Sequence, residues 1–231
     1  MRSPEDVFQD MEGDRASREA EIRLLENIAS KTDNEDEQRM LRRSIVVLTY
    51  SHLEGFCKFA LTSYSSAINS AKLPCDAVVT PLAAAALTKV FAALRDVNAK
   101  HPYFSKVFAD DSKLHRTARE HAFLDQLTLV MSTVVEIPDD AINTESNLSP
   151  NVLKRNMYQL GLDYLPVDPH AGTIYKLLND RNSIAHGDRL KEPSTEDVQR
   201  YTTSAFEVMK FVQAEIFNAL NKKSYVRQKA A

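Results

Sequence analysis

Residues 35–72, EDEQRMLRRSIVVLTYSHLEGFCKFALTSYSSAINSAK, form a long segment of the 231-residue chain that contains no proline. Its apolar residues recur at spacings of three and four, as one face of an α-helix requires. These residues are Leu41, Ile45, Leu48, Leu53, Phe56, Phe59, Ala60, Tyr64, Ala67 and Ile68. The spacing predicts a long amphipathic helix at the centre of the fold, which Leu73-Pro74 ends.

Helix start signals recur on both sides of this segment. Ser3-Pro4-Glu5-Asp6 combines an N-cap, a proline at the first helical position and acids that complement the helix dipole, which predicts a first helix to about Ser30. Thr80-Pro81 opens a predicted helix to about Val97. Ser194-Thr195-Glu196-Asp197 has the form of a capping box before a last long helix.

The region between these helices mixes loops and shorter helices. Residues 113–131 are periodic and predict one helix, whereas 137–149 are polar and irregular. Ser149-Pro150 caps a predicted short helix that Gly161 ends. Asp168-Pro169 starts another predicted helix, and Gly187 stands where that helix is expected to end.

Composition agrees with a helical fold. The chain holds 5 Gly and 9 Pro, about half of the usual combined share and too few for the turns of an all-β sandwich. We therefore predict an all-α protein, an antiparallel helical bundle with a long central helix and additional packed helices. It is expected to be a single domain, 1–231, made of an acidic N-terminal helix (1–34), a core (35–220) with a helical insert at about 98–148, and a basic tail (221–231).

Charge and hydropathy limit the cellular setting. The formal net charge is −3, and the bases near the end of the chain (Lys222, Lys223, Arg227 and Lys229) are expected to lie on a solvated, frayed terminus. No apolar stretch approaches the length of a membrane span, and the N-terminus lacks the apolar core of a signal peptide. A cytoplasmic protein without a membrane partner is expected. Cys57 and Cys75 are interpreted as buried small hydrophobes.

Arg181-Asn182-Ser183-Ile184-Ala185-His186-Gly187 carries the strongest chemical signal in the chain. An arginine fork suits phosphate oxygens, and a histidine suits proton transfer near neutral pH. His186 and Arg181 together suit phosphodiester cleavage. The sequence has no metal-binding His-Glu-x-x-His, no glycine-rich phosphate loop and no nucleophile elbow, so neither a metal nor a cofactor is expected.

Spacing alone does not single out this segment, because Arg116 and His121 stand at the same interval. In an unbroken helix, residues five apart lie about 140° apart around the axis, so the side chains of Arg116 and His121 should diverge. Arg181 and His186 have the same geometry unless the helix ends between them. Gly187 at a C-cap position predicts that end.

The segment resembles the signature of the HEPN superfamily, in which an arginine and a polar residue, often asparagine, precede a histidine by a few positions. It is similar to the stand-alone HEPN proteins related to the RiboL-PSP-HEPN group. Those relatives also carry a glutamate and a base separated by three residues on the long early helix, which Glu54 and Lys58 match. The resemblance covers about residues 38–220.

The resemblance implies an endoribonuclease of the toxin or defence type. Cleavage would proceed by attack of the ribose 2′-hydroxyl and leave cyclic-phosphate ends. The catalytic candidates are Arg181, His186, Asn182 and Glu54. The implied partners are RNA, a second copy of the chain in a homodimer with a composite active site, and an inhibitor or defence protein. Relatives controlled by adenylylation carry a tyrosine where this chain has Asp188, so that control is not expected.

The upstream motif of Glu54 and Lys58 can also be interpreted from helix geometry, independently of the resemblance. Glu54 and Lys58 stand in the order that favours an ion pair on a helix surface. Gly55 between them is unfavourable inside a helix and indicates the close approach of another backbone, which would bring Glu54 towards Arg181 and His186. Lys58 and Arg189 are the candidate RNA-binding residues.

Two other functions stay open at this stage. One is a non-catalytic HEPN-like module that binds a nucleotide or a protein and uses Arg181 and His186 as structural hydrogen-bonding groups. The other is a helical adaptor that docks through its acidic first helix, for which an exposed apolar patch on that helix would be evidence.

Overall fold

A computed structural model describes residues 2–104, 112–145 and 147–228, and these residues form an all-α structure, as predicted. The α-helices in the described part of the chain are α1 (Pro4–Ala29), α2 (Glu35–Ser70), α3 (Thr80–Ala86), α4 (Thr88–Arg95), α5 (Ser112–Asp125), α6 (Leu127–Ser132), α7 (Pro150–Gln159), α8 (Asp168–Ala185) and α9 (Thr195–Asn221). None of the described helices is long and apolar enough to cross a membrane.

Side-chain caps fix the starts of the long helices. Ser3 and Asp6 form a reciprocal capping box at α1, and Ser194 and Asp197 form another at α9, as the sequence predicts. The Asn34 side chain accepts two backbone hydrogen bonds at the start of α2. These caps satisfy backbone N–H groups that lack a partner within the helix.

Helix α2 is the centre of the bundle, since α1, α8 and α9 all pack against it. Five residues join α1 to α2, and so short a connection makes the two helices antiparallel neighbours. Side chains of α2 dominate the largest fully buried groups, which include Tyr50, Tyr64, Phe56, Leu53 and Leu61. The predicted central helix is therefore confirmed, and it places Tyr50 and its neighbours against α8.

Two of the predicted helices are broken in the structure. The helix expected from Thr80 to about Val97 is interrupted at Leu87, and the helix expected over 113–131 is interrupted at Gln126. No proline or glycine marks either break. Leu87 is buried, whereas α4 has no fully buried residue and packs only Val90 and Phe91 against the edge of the core, so packing bends the chain where local propensity does not.

The expectation of a frayed C-terminal tail is wrong for residues 224–227. Tyr225 is buried, and Val226 forms an isolated antiparallel bridge with Val78. Backbone hydrogen bonds of 2.9 Å join Val79 to Tyr225 and Arg227 to Ala77. Burial of the Tyr225 side chain outweighs the electrostatic tendency of the basic tail to stay in water. Lys229 lies outside the described residues.

The two cysteines are buried and free, as expected of small hydrophobic residues. Burial raises the pKa of the Cys57 thiol to about 12, so this group is not a thiolate near neutral pH.

Candidate active site

Helix α8 ends where the sequence predicts. Ala185 is its last residue, His186 is the C-cap, and Gly187 follows with a φ of +88°. The N–H of Gly187 bonds to the carbonyl of Ile184 at 3.1 Å, and that of Asp188 bonds to Ser183 at 3.0 Å. This is the Schellman arrangement, in which glycine avoids the strain of a left-handed backbone. It presents His186 at an exposed helix end.

Arg181 lies one turn earlier and points towards the central helix. Its guanidinium carbon lies 4.7 Å from the centre of the Tyr50 ring, within range of a cation–π contact. Its Nη1 donates to the Asn182 side chain at 2.8 Å and to the Asn147 side chain at 3.4 Å. The ring and the two amides therefore hold this half-buried cation in one orientation.

Tyr50 links Arg181 to Glu54. The phenol oxygen accepts a 2.5 Å hydrogen bond from the backbone N–H of Leu148, and the phenol interacts electrostatically with both the Glu54 carboxylate and the Arg181 guanidinium. Burial, and then the nearby Glu54 charge, raise the pKa of Tyr50 to about 12. The phenol therefore stays protonated and uncharged near neutral pH.

The guanidinium of Arg181 keeps free hydrogen-bond donors. Within the described part of the chain, its contacts use Nη1 alone, and no carboxylate forms an ion pair with it. Many other arginines of the chain do have such partners, among them Arg15, Arg18 and Arg155. A half-buried arginine without a counter-ion is suited to bind an anion.

His186 is exposed, and its ring has no hydrogen bond or ion pair to any residue that the structure describes. No contact joins it to Arg181 or to Glu54. Glu54 and Arg181 both act on the Tyr50 phenol, whereas no hydrogen bond or ion pair of the described residues joins His186 to either of them. In one chain, the imidazole stands apart from the cation one turn before it.

The reason proposed for Gly55 is also wrong. A Cβ at this position would lie 2.7 Å from Nη1 of Arg18, so the close neighbour is an arginine side chain of α1 and not a backbone. Arg18 is paired with Asp14 and lies 3.5 Å from Nδ1 of His52. Gly55 makes room for the contact between α1 and α2 and leaves Glu54 to be placed by Tyr50.

The predicted RNA-binding residues remain at the surface. Lys58 and Arg189 are both exposed. The ion pair expected between Glu54 and Lys58 does not form among the described residues, since the Glu54 carboxylate interacts with Tyr50. Lys58 therefore lies one helical turn from Glu54 with its charge directed to solvent.

Sequence reasoning missed the arginines that hold the loop after His186. The Nη1 of Arg43 donates to the carbonyls of Asp188 at 2.8 Å and Lys191 at 2.5 Å. Arg42 donates to the carbonyl of Pro193 at 2.9 Å, and Arg39 pairs with Glu192 at 2.7 Å. The adjacent arginines at the start of α2 were the available signal. They bind main-chain carbonyls whose positions only the fold reveals.

A second set of contacts joins the same loop to α8. The ammonium of Lys191 pairs with buried Asp180 at 2.6 Å, and the hydroxyl of Tyr201 donates to that carboxylate at 2.9 Å. Asp180 immediately precedes Arg181. The loop and the helix that carry the candidate residues are thus fixed relative to each other.

Arg116 and His121, the other arginine and histidine at this interval, are not held by comparable contacts. Arg116 and His121 lie within the continuous helix α5, and Arg116 is ion-paired with Glu120 at 2.8 Å. Both residues are exposed. The prediction that this pair diverges along an unbroken helix agrees with the structure.

An exposed stripe of α2 borders the end of α8. It includes Met40, which is 68% exposed, together with Ser44, Val47 and Ser51. These residues and Ile184 line an open, mainly apolar hollow of about 540 Å³. On α1, Leu24 and Ile28 are also exposed, one turn apart. Among the described residues, no group of three or more His, Cys, Asp or Glu side chains is placed to hold a metal ion.

Comparison with protein families gives one match. The family model described as HEPN_MAE_28990-like HEPN matches residues 8–225. The matched range extends beyond 38–220 and includes nearly all of α1 and the insert. Searches of curated proteins and of solved structures gave no significant match.

Proposed function

The chain belongs to the HEPN_MAE_28990-like HEPN family, and from this membership we propose that it is a metal-independent endoribonuclease of the toxin or defence type. The HEPN family generally includes ribonucleases, and HEPN domains commonly bind RNA and dimerise. Family membership alone identifies neither the reaction nor the residues that perform it.

One observation carries the proposal. Arg181 is half-buried, fixed by Tyr50 and Asn182, without a carboxylate partner in the described part of the chain, and one turn before an exposed histidine. A phosphate fits the free donors of Arg181, because a guanidinium donates two parallel hydrogen bonds to such oxygens. His186 at the helix end is accessible to the same phosphodiester.

The chemistry follows from these groups. A base removes the proton of the ribose 2′-hydroxyl, whose oxygen attacks the adjacent phosphorus. The bond from phosphorus to the 5′-oxygen breaks, and that oxygen takes a proton from an acid. The products are a 2′,3′-cyclic phosphate and a 5′-hydroxyl. Arg181 stabilises the charge that grows on phosphorus, and His186 transfers a proton.

The reaction needs a base and an acid, whereas residues 181–187 of one chain offer one exposed imidazole. A dimer would supply the second imidazole. We place the interface on the exposed α2 stripe and the end of α8, because a two-fold axis there brings both copies of His186 to one RNA strand. Asn182, Glu54 and Tyr50 act as positioning residues for Arg181. Lys58 and Arg189 contact the RNA backbone.

A toxin or defence ribonuclease needs a partner that restrains or triggers it. We assign this role to an inhibitor or defence protein, for which the exposed Leu24 and Ile28 of α1 offer an apolar contact.

Substitution of His186 tests the proposal. His186→Ala should reduce RNA cleavage by about a hundredfold or more, the effect of losing a positioned acid or base. The matched control is His121→Ala, an exposed histidine at the competing interval, which should keep wild-type activity. Melting temperatures of both variants should equal that of the wild type, because both side chains are exposed.

A non-catalytic binding module is the second candidate, favoured by the lack of any contact between Arg181 and His186 within one chain. It predicts that the wild type cleaves no RNA while binding of a nucleotide or protein depends on Arg181. Full cleavage activity of His186→Ala would equally end the catalytic proposal.

A further inference from the structure

A second hollow lies at the other end of α7 from the candidate active site. It has a volume of about 580 Å³ and opens between α3, α4 and the last turn of α7. Tyr158, Phe91, Gln159, Arg95, Thr80 and Thr88 are among the residues that line it. No carboxylate is among its described lining residues, and its volume is in the range of small-ligand sites.

The hollow offers an aromatic platform. Tyr158 is 63% exposed, and its ring meets that of Tyr164 edge to face with centroids 6.2 Å apart. This contact holds the Tyr158 ring from one side while the other part of the side chain remains accessible. Half-buried Phe91 adds a second ring, and exposed Gln159 adds an amide that both donates and accepts hydrogen bonds.

Two arginines supply positive charge at this place. Arg95, at the end of α4, is exposed and has no ion pair within the described residues. Arg227, on the docked C-terminal tail, lies beside the hollow, where its guanidinium donates to the hydroxyl of the lining residue Thr80 at 3.4 Å. Arg95 also lines a neighbouring hollow that contains Arg116 and Arg119. The combination of rings, an amide and guanidinium groups suits a nucleotide base and its phosphate.

Helix α7 connects this hollow to the candidate active site. Leu148 and Asn147, which contact Tyr50 and Arg181, directly precede the start of α7, and Tyr158 stands near its end. Ten residues of helix span about 15 Å. A single RNA strand of a few nucleotides covers such a distance.

We propose that the hollow between α3, α4 and α7 binds one unstacked nucleotide of the single-stranded RNA that is cut at Arg181 and His186. This inference rests on the proposed function. The base stacks on Tyr158, Gln159 contacts its edge, and Arg95 and Arg227 hold the phosphate. Charge complementarity favours RNA, because Arg95 is the charged residue among the described lining residues and Arg227 lies beside the hollow at Thr80.

A binding measurement separates this inference from the catalytic proposal. The His186→Ala protein is titrated into a labelled single-stranded RNA of about twelve nucleotides, a length that such grooves accommodate. Fluorescence anisotropy then reports binding without cleavage. Tyr158→Ala and Arg95→Ala, each added to His186→Ala, should weaken binding about tenfold, whereas Tyr158→Phe should bind normally because it keeps the ring.

Matched controls identify a nonspecific effect. Arg200→Ala removes an exposed arginine on α9, and Tyr103→Ala removes a tyrosine that is 78% exposed elsewhere on the insert. Both should leave the dissociation constant unchanged. Binding by the wild-type hollow should also weaken steeply with salt, since phosphate contacts release counter-ions.

Three results would overturn the inference. The first is unchanged RNA binding by Tyr158→Ala and Arg95→Ala. The second is displacement of the RNA by adenosine monophosphate at an equal concentration, which would indicate a free nucleotide as the ligand. The third is loss of binding to an acidic protein, without loss of RNA binding, in the same variants. If Tyr158→Ala and Arg95→Ala weaken RNA binding while the wild type cuts no RNA, the binding site is upheld and the ribonuclease is refuted.

Discussion

At the residue scale, the site depends on a phenol that carries no charge. Tyr50 places its ring against Arg181, accepts a hydrogen bond from Leu148 and lies within the electrostatic influence of Glu54. One side chain thus connects the central helix, the end of the insert and α8. Because its pKa is raised to about 12, this arrangement persists across the neutral pH range.

Tyr50→Phe separates the two roles of the side chain. The variant keeps the ring beneath Arg181 but loses the hydroxyl, which leaves a buried N–H of Leu148 unpaired and costs about 1–3 kcal/mol of stability. Cleavage should fall about tenfold in kcat with KM nearly unchanged, because Arg181 is still present but less well oriented. Kinetics and thermal unfolding test both effects.

Tyr50→Leu provides the comparison, since it also removes the cation–π contact and should approach the activity of Arg181→Ala. Wild-type kinetics for both Tyr50 variants would show that this residue does not position Arg181.

The sequence predicts Arg181, His186, Asn182 and Glu54 as one site, and in the structure Arg181 contacts Asn182 directly and the Tyr50 ring, which Glu54 also influences. Tyr50 itself could not be predicted, because in the sequence it falls within a helix whose large side chains are read as core. Gly55 was misread for a related reason. The side chain that fills the space beside it comes from Arg18, and the reach of a long side chain from another helix is not encoded in local spacing.

At the scale of elements, the loop after His186 is held by the first turns of α2. Arg43 contributes most of this, because it is half-buried and binds two backbone carbonyls, whereas Arg39 forms an exposed ion pair with Glu192. The end of α8 and the beginning of α2 therefore act as one unit in presenting His186.

Arg43→Ala should release the loop while the bundle stays folded. We expect about a tenfold loss of kcat, since a poorly positioned acid or base transfers protons slowly. Hydrogen exchange of the amides from Gly187 to Lys191 should become faster. Arg39→Ala is the matched control and should change little, because exposed ion pairs contribute about 0–1 kcal/mol. Slow exchange and full activity in Arg43→Ala would refute the positioning role.

The observed helix ends show which local sequence signals were sufficient to predict them. Caps at Ser3, Ser194 and Gly187 predict helix ends well because they satisfy backbone groups within a few residues. The breaks at Leu87 and Gln126 have no local signal, since they follow from which side chains the core accepts. The same holds for the tail, whose docking depends on burial of Tyr225.

At the scale of the whole molecule, the account requires two chains. Val47→Glu places a charge in the middle of the exposed α2 stripe and should separate the dimer, with loss of most cleavage activity and an unchanged monomer fold. Ser66→Glu adds the same charge to an exposed position of α2 outside the stripe and should remain dimeric. Sedimentation velocity across a dilution series gives the readout. A wild type that is monomeric at micromolar concentration and still active would contradict the composite site.

The all-α class and the central helix follow from composition and periodicity, since both reflect forces summed over many residues. The extent of the family does not follow from the sequence in this way, because the resemblance covers about 38–220 and the match covers 8–225. Helix α1 packs on α2 and α9 and buries Val7, Met11 and Ile22. The acidic first helix, which the resemblance does not cover, therefore contributes to the hydrophobic core.

The chemistry of the RNA ends tests the central claim most directly. Purified wild-type protein is incubated with single-stranded RNA in the presence of EDTA, and the products are analysed by mass spectrometry. The account predicts cleavage that leaves 2′,3′-cyclic phosphate and 5′-hydroxyl ends, because the ribose 2′-hydroxyl is the nucleophile. DNA of the same sequence should stay intact. Cleavage that stops in EDTA, or that leaves 5′-phosphate ends, would contradict it.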